Sequence, residues 1–466
     1  MDFTHAQPVT PPTPVRGLNP VEPPLILAPG PLGSVRFAPI RGARRVVIAV
    51  SIPAGSRDEK KGEEGAAHFL EHVLFKRTER FGSAAALWQA IETLGGEANA
   101  STERELTTYY IDVPRPGMIE AAGILGEILF GSTYTSEDIE AERGVVIEEI
   151  RASHDDAETQ AEMALEALLF GPAHHYGRDI AGTVEQIRLL PEKTIRSFYK
   201  RHYVPAHMSF VVAGDLNPGE VSRARVAFTS RLGTASDSPS IEAGRKGMRP
   251  PRLLAKHPAT PGKSVGARIG TISSGVEQVR IAVGAPSFGR HHPSEPALDV
   301  FDAVLGGGSA SRLFLRLREE KGLAYSVSTS TFAYADAGAF TISAGVDPAR
   351  TVEATGAIMA ELREIASTPV SDDELERAKG YLVGTLERFV ADVEAVADWR
   401  AGELHLDRET RRIEEEIARI RAVDADDLLA VAKKLLRPSE LRISYVAPAS
   451  AIRAIATAEK KGKLGL

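Results

Sequence analysis

The stretch His68-Phe-Leu-Glu71-His72 constrains this chain more than any other, because its chemistry exists only if the segment is helical. On an α-helix His68 and His72 stand at i and i+4 on one face, with Glu71 beside them at i+3. Two imidazoles and a carboxylate so placed make most of a metal site with an adjacent base. The fold must then supply a third ligand from elsewhere, since a catalytic zinc takes three protein ligands and keeps one position open.

The order His-x-x-Glu-His inverts the commoner HExxH arrangement, and the inverted form is itself a metallopeptidase signature. The 466 residues contain no cysteine, so there is no disulfide and no thiolate nucleophile, and any zinc must be held by His, Asp and Glu. That donor set suits a catalytic zinc better than a structural one. A net charge of −7 argues against the basic footprint of a nucleic-acid binder. With 43% hydrophobic, 26% charged and only 6% aromatic residues, the chain reads as globular, with Ala-rich helices and length enough for at least two domains. No apolar run approaches the roughly 18 residues a membrane-spanning helix needs. The N-terminal Met-Asp-Phe-Thr-His-Ala-Gln-Pro lacks the apolar segment of a signal peptide. These features predict a cytoplasmic protein with no membrane and no nucleic-acid partner, and a Pro-rich extended arm over residues 1–24.

The β-branched run Val46-Val47-Ile48-Ala49-Val50 predicts a strand over 45–52, which with another over 35–40 flanks a turn at Gly42. Residues 66–76 have a helical pattern, which puts the His motif on a helix. Further helices are predicted over 84–94, closed by Gly95-Gly96, and over 118–130, 136–152 with Ser136 as N-cap, 158–170 and 191–199. Strands are predicted over 107–113 and 209–215. Residues 234–262, rich in Pro, Gly, Ser and Lys and without periodicity, predict a linker. Beyond it, strands over 278–284, 326–331, 340–345 and 441–446 and helices over 296–305, 352–365 and 372–388 recur in a similar order, which points to an internal duplication. The expected fold class is α+β: two similar domains, 25–233 and 263–466, each a mostly antiparallel sheet packed with helices.

The best source of a third ligand is Glu142-Arg-Gly-Val-Val-Ile-Glu148-Glu149. Glu142 and Glu149, seven residues apart, share a helical face, whereas Glu148 is turned roughly 100° from Glu149, so one of the last two points at the metal and the other does not. His174-His175 and His291-His292 lack a helix-spaced acid and read as loop or surface imidazoles. Gly306-Gly307-Gly308 lacks the GxxxxGK[ST] continuation of a phosphate cradle and reads as a flexible loop, with no nucleotide.

Taken together, His68 to His72 with the following Val-Leu-Phe-Lys76, the Gly95-Gly96-Glu-Ala-Asn99-Ala100 run, Thr107 and Tyr109, and Glu142 to Glu149 resemble the N-terminal catalytic domain of the pitrilysin/insulinase family of zinc peptidases. Mitochondrial processing peptidase belongs to that family. Leu305-Gly306-Gly307-Gly308-Ser-Ala-Ser-Arg312-Leu313-Phe314 and Arg318-Glu-Glu-Lys-Gly-Leu-Ala-Tyr325 resemble its C-terminal domain. The resemblance covers about residues 30 to 460.

The resemblance implies one Zn2+ per chain held by His68, His72 and Glu149, with Glu148 the alternative third ligand because the helix phase is inferred. It implies Glu142 as a supporting acid behind the ligands, Glu71 as general base, and Arg318 and Tyr325 as substrate-binding and oxyanion-stabilising groups. Asn99 and Ala100, in a Gly-rich turn, would offer polar groups to a peptide strand. Large single-chain members carry four domains, whereas this chain has two and both motifs. The implied active unit is therefore a homodimer enclosing a chamber, or a heterodimer with a related chain, in which the partner's Arg and Tyr reach the zinc. The implied function is a zinc endopeptidase acting on peptides or unfolded polypeptides. One alternative is a non-catalytic partner or scaffold subunit of such a peptidase. A peptidase that removes targeting peptides differs only in substrate.

Overall fold

A computed structural model describes residues 25–233, 263–406 and 412–465. The expected arm over 1–24 and the expected linker over 234–262 lie outside the described residues. Two sheets organise the rest. The first contains Leu25–Leu27 (β1), Ser34–Pro39 (β2), Arg45–Ile52 (β3), Glu97–Thr102 (β4), Thr107–Pro114 (β5) and Ser209–Gly214 (β6), in the order β1-β2-β6-β3-β5-β4. The second contains Ile269–Ser273 (β7), Val279–Ser287 (β8), Ala324–Ala333 (β9), Gly338–Val346 (β10) and Arg442–Ala447 (β11), in the order β7-β11-β8-β10-β9. Without β1 the two orders are the same, and each contains a single parallel pair, β2 with β6 and β7 with β11. The expected α+β class with mostly antiparallel sheets is what the chain adopts, and the repeated strand order supports the duplication.

The central strands read as uninterrupted apolar runs because they are covered on both faces, each face by a different core. In β3, Val46, Ile48, Val50 and Ile52 face the main core of the first half, while Val47 and Ala49 face a second, smaller cluster. β8 divides in the same way between Val279, Ile281, Val283 and Ala285 on one side and Ala282 on the other. The smaller clusters are built by exchange between the halves. The helix Val393–Leu406, from the second half, lays Val393, Val396, Ala397 and Ala401 on the first sheet. In return the first half contributes one of its own helices, which in order are Ala66–Leu74 (α1), Ala84–Thr93 (α2), Met118–Phe130 (α3), Ser136–Asp155 (α4) and Ala157–Phe170 (α5). It is α5 that lays Ala161, Leu165 and Leu169 on the second sheet.

Several elements differ from the sequence reading. β2 and β3 flank the Gly42 turn as expected; β6 lies between them, parallel to one and antiparallel to the other. The Gly95-Gly96-Glu-Ala-Asn99-Ala100 run is not a turn throughout. From Glu97 it is the edge strand β4, whose Ala, Asn and Ser residues carry little β-propensity and owe their conformation to pairing with β5. The N-cap of α4 is Thr135, completed as a capping box by Asp138, and not Ser136. Gly306 and Gly307 are packed rather than loose. A Cβ on Gly306 would stand 2.5 Å from Thr329 Oγ1, and one on Gly307 2.6 Å from Ala303 Cα. His292 is in a loop, as expected, but it is buried and stacks on Phe288 at 3.9 Å and is not at the surface.

The exchanged helix Val393–Leu406 also carries a buried ion cluster. Glu403 accepts from Arg36 of the first half at 2.7 Å and from Arg400 at 2.6 Å, and all three side chains are buried. Truncating the shared acid leaves two buried guanidiniums without this partner, a change that typically costs about 3–5 kcal/mol. Glu403→Ala should therefore lower the midpoint of urea unfolding by that equivalent, with Glu403→Gln falling between it and the parent chain.

Candidate metal centre and catalytic cleft

Helix α1 is buried on most of its circumference by Ala66, Ala67, Phe69, Leu70, Val73 and Leu74. The remaining strip carries His68, Glu71 and His72, so burial of the apolar faces decides which way the motif points. The chain enters α1 through Gly65 in a left-handed conformation, and the buried Glu59 carboxylate accepts from Ala67 N at 3.0 Å, tying down the first turn.

Helix α4 crosses α1 and brings its own acids to that strip. Glu149 stands with one carboxylate oxygen 3.5 Å from His68 Nε2 and the other 3.2 Å from His72 Nε2. Among the described residues, His68, His72 and Glu149 are the one group of three His, Cys or acidic side chains able to hold a metal, with ligand atoms within 4.8 Å of one another. The fit to zinc can be tested on these distances. Ligands about 2.1 Å from a tetrahedral ion lie roughly 3.4 Å apart, close to both separations. Glu148 points elsewhere: it pairs with Arg151 on the exposed side of α4, so the helix phase left open by the sequence is resolved toward Glu149.

Glu142, one helical face below Glu149, is buried and joins His72 Nδ1 at 2.8 Å. That hydrogen bond fixes the imidazole so that Nε2 faces Glu149, the usual arrangement behind a metal-bound histidine. The other Glu142 oxygen is paired with Lys76. Burial alone would depress His72, yet its hydrogen bonds to Glu142 and Glu149 lift it to about 9. The hydrogen bonds from His68 and His72 hold Glu149 far below the usual carboxylate range. Burial by itself would raise Glu142, but His72 and Lys76 keep it ionised. Glu142 and Glu149 thus favour a positive charge on the His72 imidazole, beside the point where a metal cation would sit.

Glu71 lies on the same strip, and the Thr102 hydroxyl donates to its Oε2. Thr102 is the last residue of β4, so the edge strand and the carboxylate are joined directly. Sequence reasoning missed Thr102, which belongs to no motif. Lys76 was noted only as part of a resemblance, with no role. Asn99 and Ala100 are on β4, opposite Tyr110 and Tyr109, and among the described residues the strand's other side is an unpaired edge.

A cleft of ≈ 600 Å³ opens at Glu149 and is lined by Ser153 and Glu162 of the first half and by Arg290, Phe332 and Tyr334 of the second. It adjoins a larger cavity of ≈ 1040 Å³, with Met163, Glu166 and Asp179 common to both. Arg318 and Tyr325 are not brought to this cleft. Arg318 lies in the π-helical turn Phe314–Glu320, over the Phe314 ring, and Tyr325 is 74% exposed near the start of β9. His174 and His175 stack on each other in the loop beyond α5, outside the metal group.

Comparison with known proteins gives a consistent set of matches. Residues 39–183 match the family model described as insulinase (peptidase family M16), and residues 190–382 match the one described as peptidase M16 inactive domain. An uncharacterized zinc protease of Streptomyces coelicolor is 34% identical over 90% of this chain and 90% of its own length. One from Mycobacterium tuberculosis is 32% identical over 90% of this chain and 93% of its own length. A probable mitochondrial-processing peptidase subunit beta of Arabidopsis thaliana is 29% identical over 87% of this chain and 75% of its own. Among solved structures, a protease from Helicobacter pylori superposes with a TM-score of 0.81 at 22% identity, covering 92% of this chain and all of that one, which supports the fold.

The geometry predicts how the acids of α4 divide. Glu149→Ala should lose most of the bound zinc after reconstitution and dialysis, and Glu148→Ala should keep the parent ratio of metal to protein. Glu142→Ala should weaken zinc by about 10–100-fold in chelator competition.

Proposed function

Since the chain belongs to the insulinase family of peptidases (M16), we propose that it is a zinc-dependent endopeptidase, with one zinc held by His68, His72 and Glu149 and with Glu71 as general base. The observation that carries this reading is the presence of Glu71 beside a complete ligand set, with Thr102 fixing its carboxylate. A bound zinc supplies the polarisation of the scissile carbonyl and the acidification of water that such a hydrolysis requires. The chain's own residues do the rest. Glu71 accepts the proton of the attacking water and returns it to the leaving amine. Glu142 and Lys76 hold the His72 ring in its ligating orientation. The free edge of β4 receives an extended peptide as an added strand, with Asn99 and Ala100 beside it. The relatives named zinc proteases support the metal and the reaction class.

The active unit we propose is a dimer enclosing a chamber, and for a chain that carries both motifs the homodimer is favoured over a heterodimer with a related chain. The exposure of Tyr325, and its distance in the fold from the cleft of its own chain, support a role in a partner's site, together with Arg318. There the two side chains would meet the developing oxyanion. The substrates would be peptides or unfolded chains that fit within the chamber.

Glu71→Gln should retain zinc and lose peptidase activity by at least about 10²-fold, the usual contribution of a positioned base; undiminished cleavage would overturn the assignment. Mixing Glu71→Gln with Arg318→Ala chains under exchange should restore roughly a quarter of the parent activity, because half of the dimers are mixed and each mixed dimer has one intact composite site. No recovery on mixing would contradict sites shared between chains.

A further inference from the structure

The two hairpins that occupy equivalent places in the two sheets, β4-β5 and β9-β10, meet tip to tip. The first turn is Glu103 to Leu106, closed by Glu103 N to Leu106 O at 2.8 Å. The second is Tyr334 to Ala337, closed by Tyr334 N to Ala337 O at 2.8 Å. Between them lies a dense set of charged and aromatic contacts. Glu105 accepts from Arg57 at 2.6 Å, from Arg290 at 3.1 Å, from Tyr176 Oη at 2.9 Å and from the Ala335 amide at 3.0 Å. Asp336 accepts from Arg57 at 2.9 Å and lies 2.6 Å from Tyr176 Oη, whose single proton it shares with Glu105. Arg104 donates to Tyr334 Oη at 3.0 Å and to the carbonyls of His175 and Arg178, and pairs with Glu166. The Tyr176 and Tyr334 rings stack at 4.1 Å.

Three features make this more than a glued seam. The three arginines, Arg57, Arg104 and Arg290, balance three acids, Glu105, Glu166 and Asp336, so the cluster closes its own charge in a partly buried place. The turn it grips is one residue past Thr102, whose hydroxyl holds Glu71. Finally, the backbone of that turn is bonded to the segment leading into α1, through Ser56 N to Glu103 O at 3.1 Å and Arg57 N to Arg104 O at 2.8 Å. A shift of the hairpin tip therefore moves Thr102 relative to the helix that carries Glu71.

We propose that the contact between the Glu103–Leu106 turn and the Tyr334–Ala337 turn is a positioning device for the peptidase reaction, by which the second half of the chain fixes the Thr102 to Glu71 hydrogen bond and the edge of β4. This inference rests on the peptidase reading above. Asp336 is the key residue to test, because it belongs to the second half, lines neither the cleft nor the metal group, and anchors both Arg57 and Tyr176. It is a positioning residue, acting through the hairpin.

Asp336→Ala in the full chain should lower kcat about tenfold while KM stays within twofold, in keeping with the sensitivity of rates to small misplacements. Zinc content and thermal midpoint should remain those of the parent. Asp336→Asn, which keeps an acceptor for Tyr176 but loses the charge facing Arg57, should recover part of kcat. Hydrogen exchange should quicken at the amides of residues 102–106 and stay unchanged in α1. An unchanged kcat, or a loss that tracks zinc or global stability, would overturn the proposal. If the parent chain cleaves no peptide, the peptidase reading fails, and the exchange measurement still decides whether the seam holds the hairpin.

Discussion

A single buried carboxylate, that of Glu142, sets the terms for the centre of this molecule. A charge taken out of water must be paired and hydrogen-bonded, and Glu142 meets that requirement with Lys76 on one oxygen and His72 on the other. Both partners are on α1 or just past its end, so satisfying the acid fixes how α4 crosses α1. Once that crossing is set, the 3.6-residue period of α4 delivers Glu149 to the two imidazoles and turns Glu148 away to Arg151. The grouping of His68, His72 and Glu149 is thus a consequence of helix packing, and the two distances from Glu149 to the imidazoles are close to the edge of a tetrahedral site.

The doubled architecture explains where that crossing sits. Each sheet has the same strand order, and each half gives one helix to cover the far face of the other's sheet. Such an exchange makes the two halves interdependent, with Glu403 between Arg36 and Arg400 as a buried polar contact within it. It also brings the two equivalent hairpin turns together beside the cleft. The second half keeps the architecture of the first without its metal ligands. What it adds is a contact with the turn of the β4-β5 hairpin and an exposed Arg318 and Tyr325 that do not line their own chain's cleft.

Much of this was legible in the sequence. The buried strands announce themselves through runs such as Val46 to Val50, and the long helices through their period, so the class of fold and most elements of both halves were recoverable. The His motif put His68, Glu71 and His72 on one strip of a helix, and the seven-residue spacing of Glu142 and Glu149 put both acids on one face of another. Three kinds of information were missing. β4 has little intrinsic preference for a strand and takes its form from β5, so the local pattern around Asn99 reads as a turn. The pairing of β2 with β6 is a long-range choice that no local pattern encodes. Thr102 and the Glu105 cluster act through contacts between distant segments, and a lone Thr or an Arg-Glu pair in a turn carries no periodic signal. The helix Val393–Leu406 went unread for a related reason: its small apolar residues face a sheet from the other half of the chain, giving only a faint amphipathic pattern.

On this view the contact of α1 with α4 offers one metal site per chain, built from two imidazoles and a carboxylate. Anomalous diffraction at the zinc edge from crystals of the reconstituted protein tests it most directly. One zinc peak is expected in each chain, within about 2.0–2.2 Å of His68 Nε2, His72 Nε2 and a Glu149 oxygen. A peak coordinated by Glu148, a peak at another cluster, or no peak in protein that cleaves peptides would contradict it.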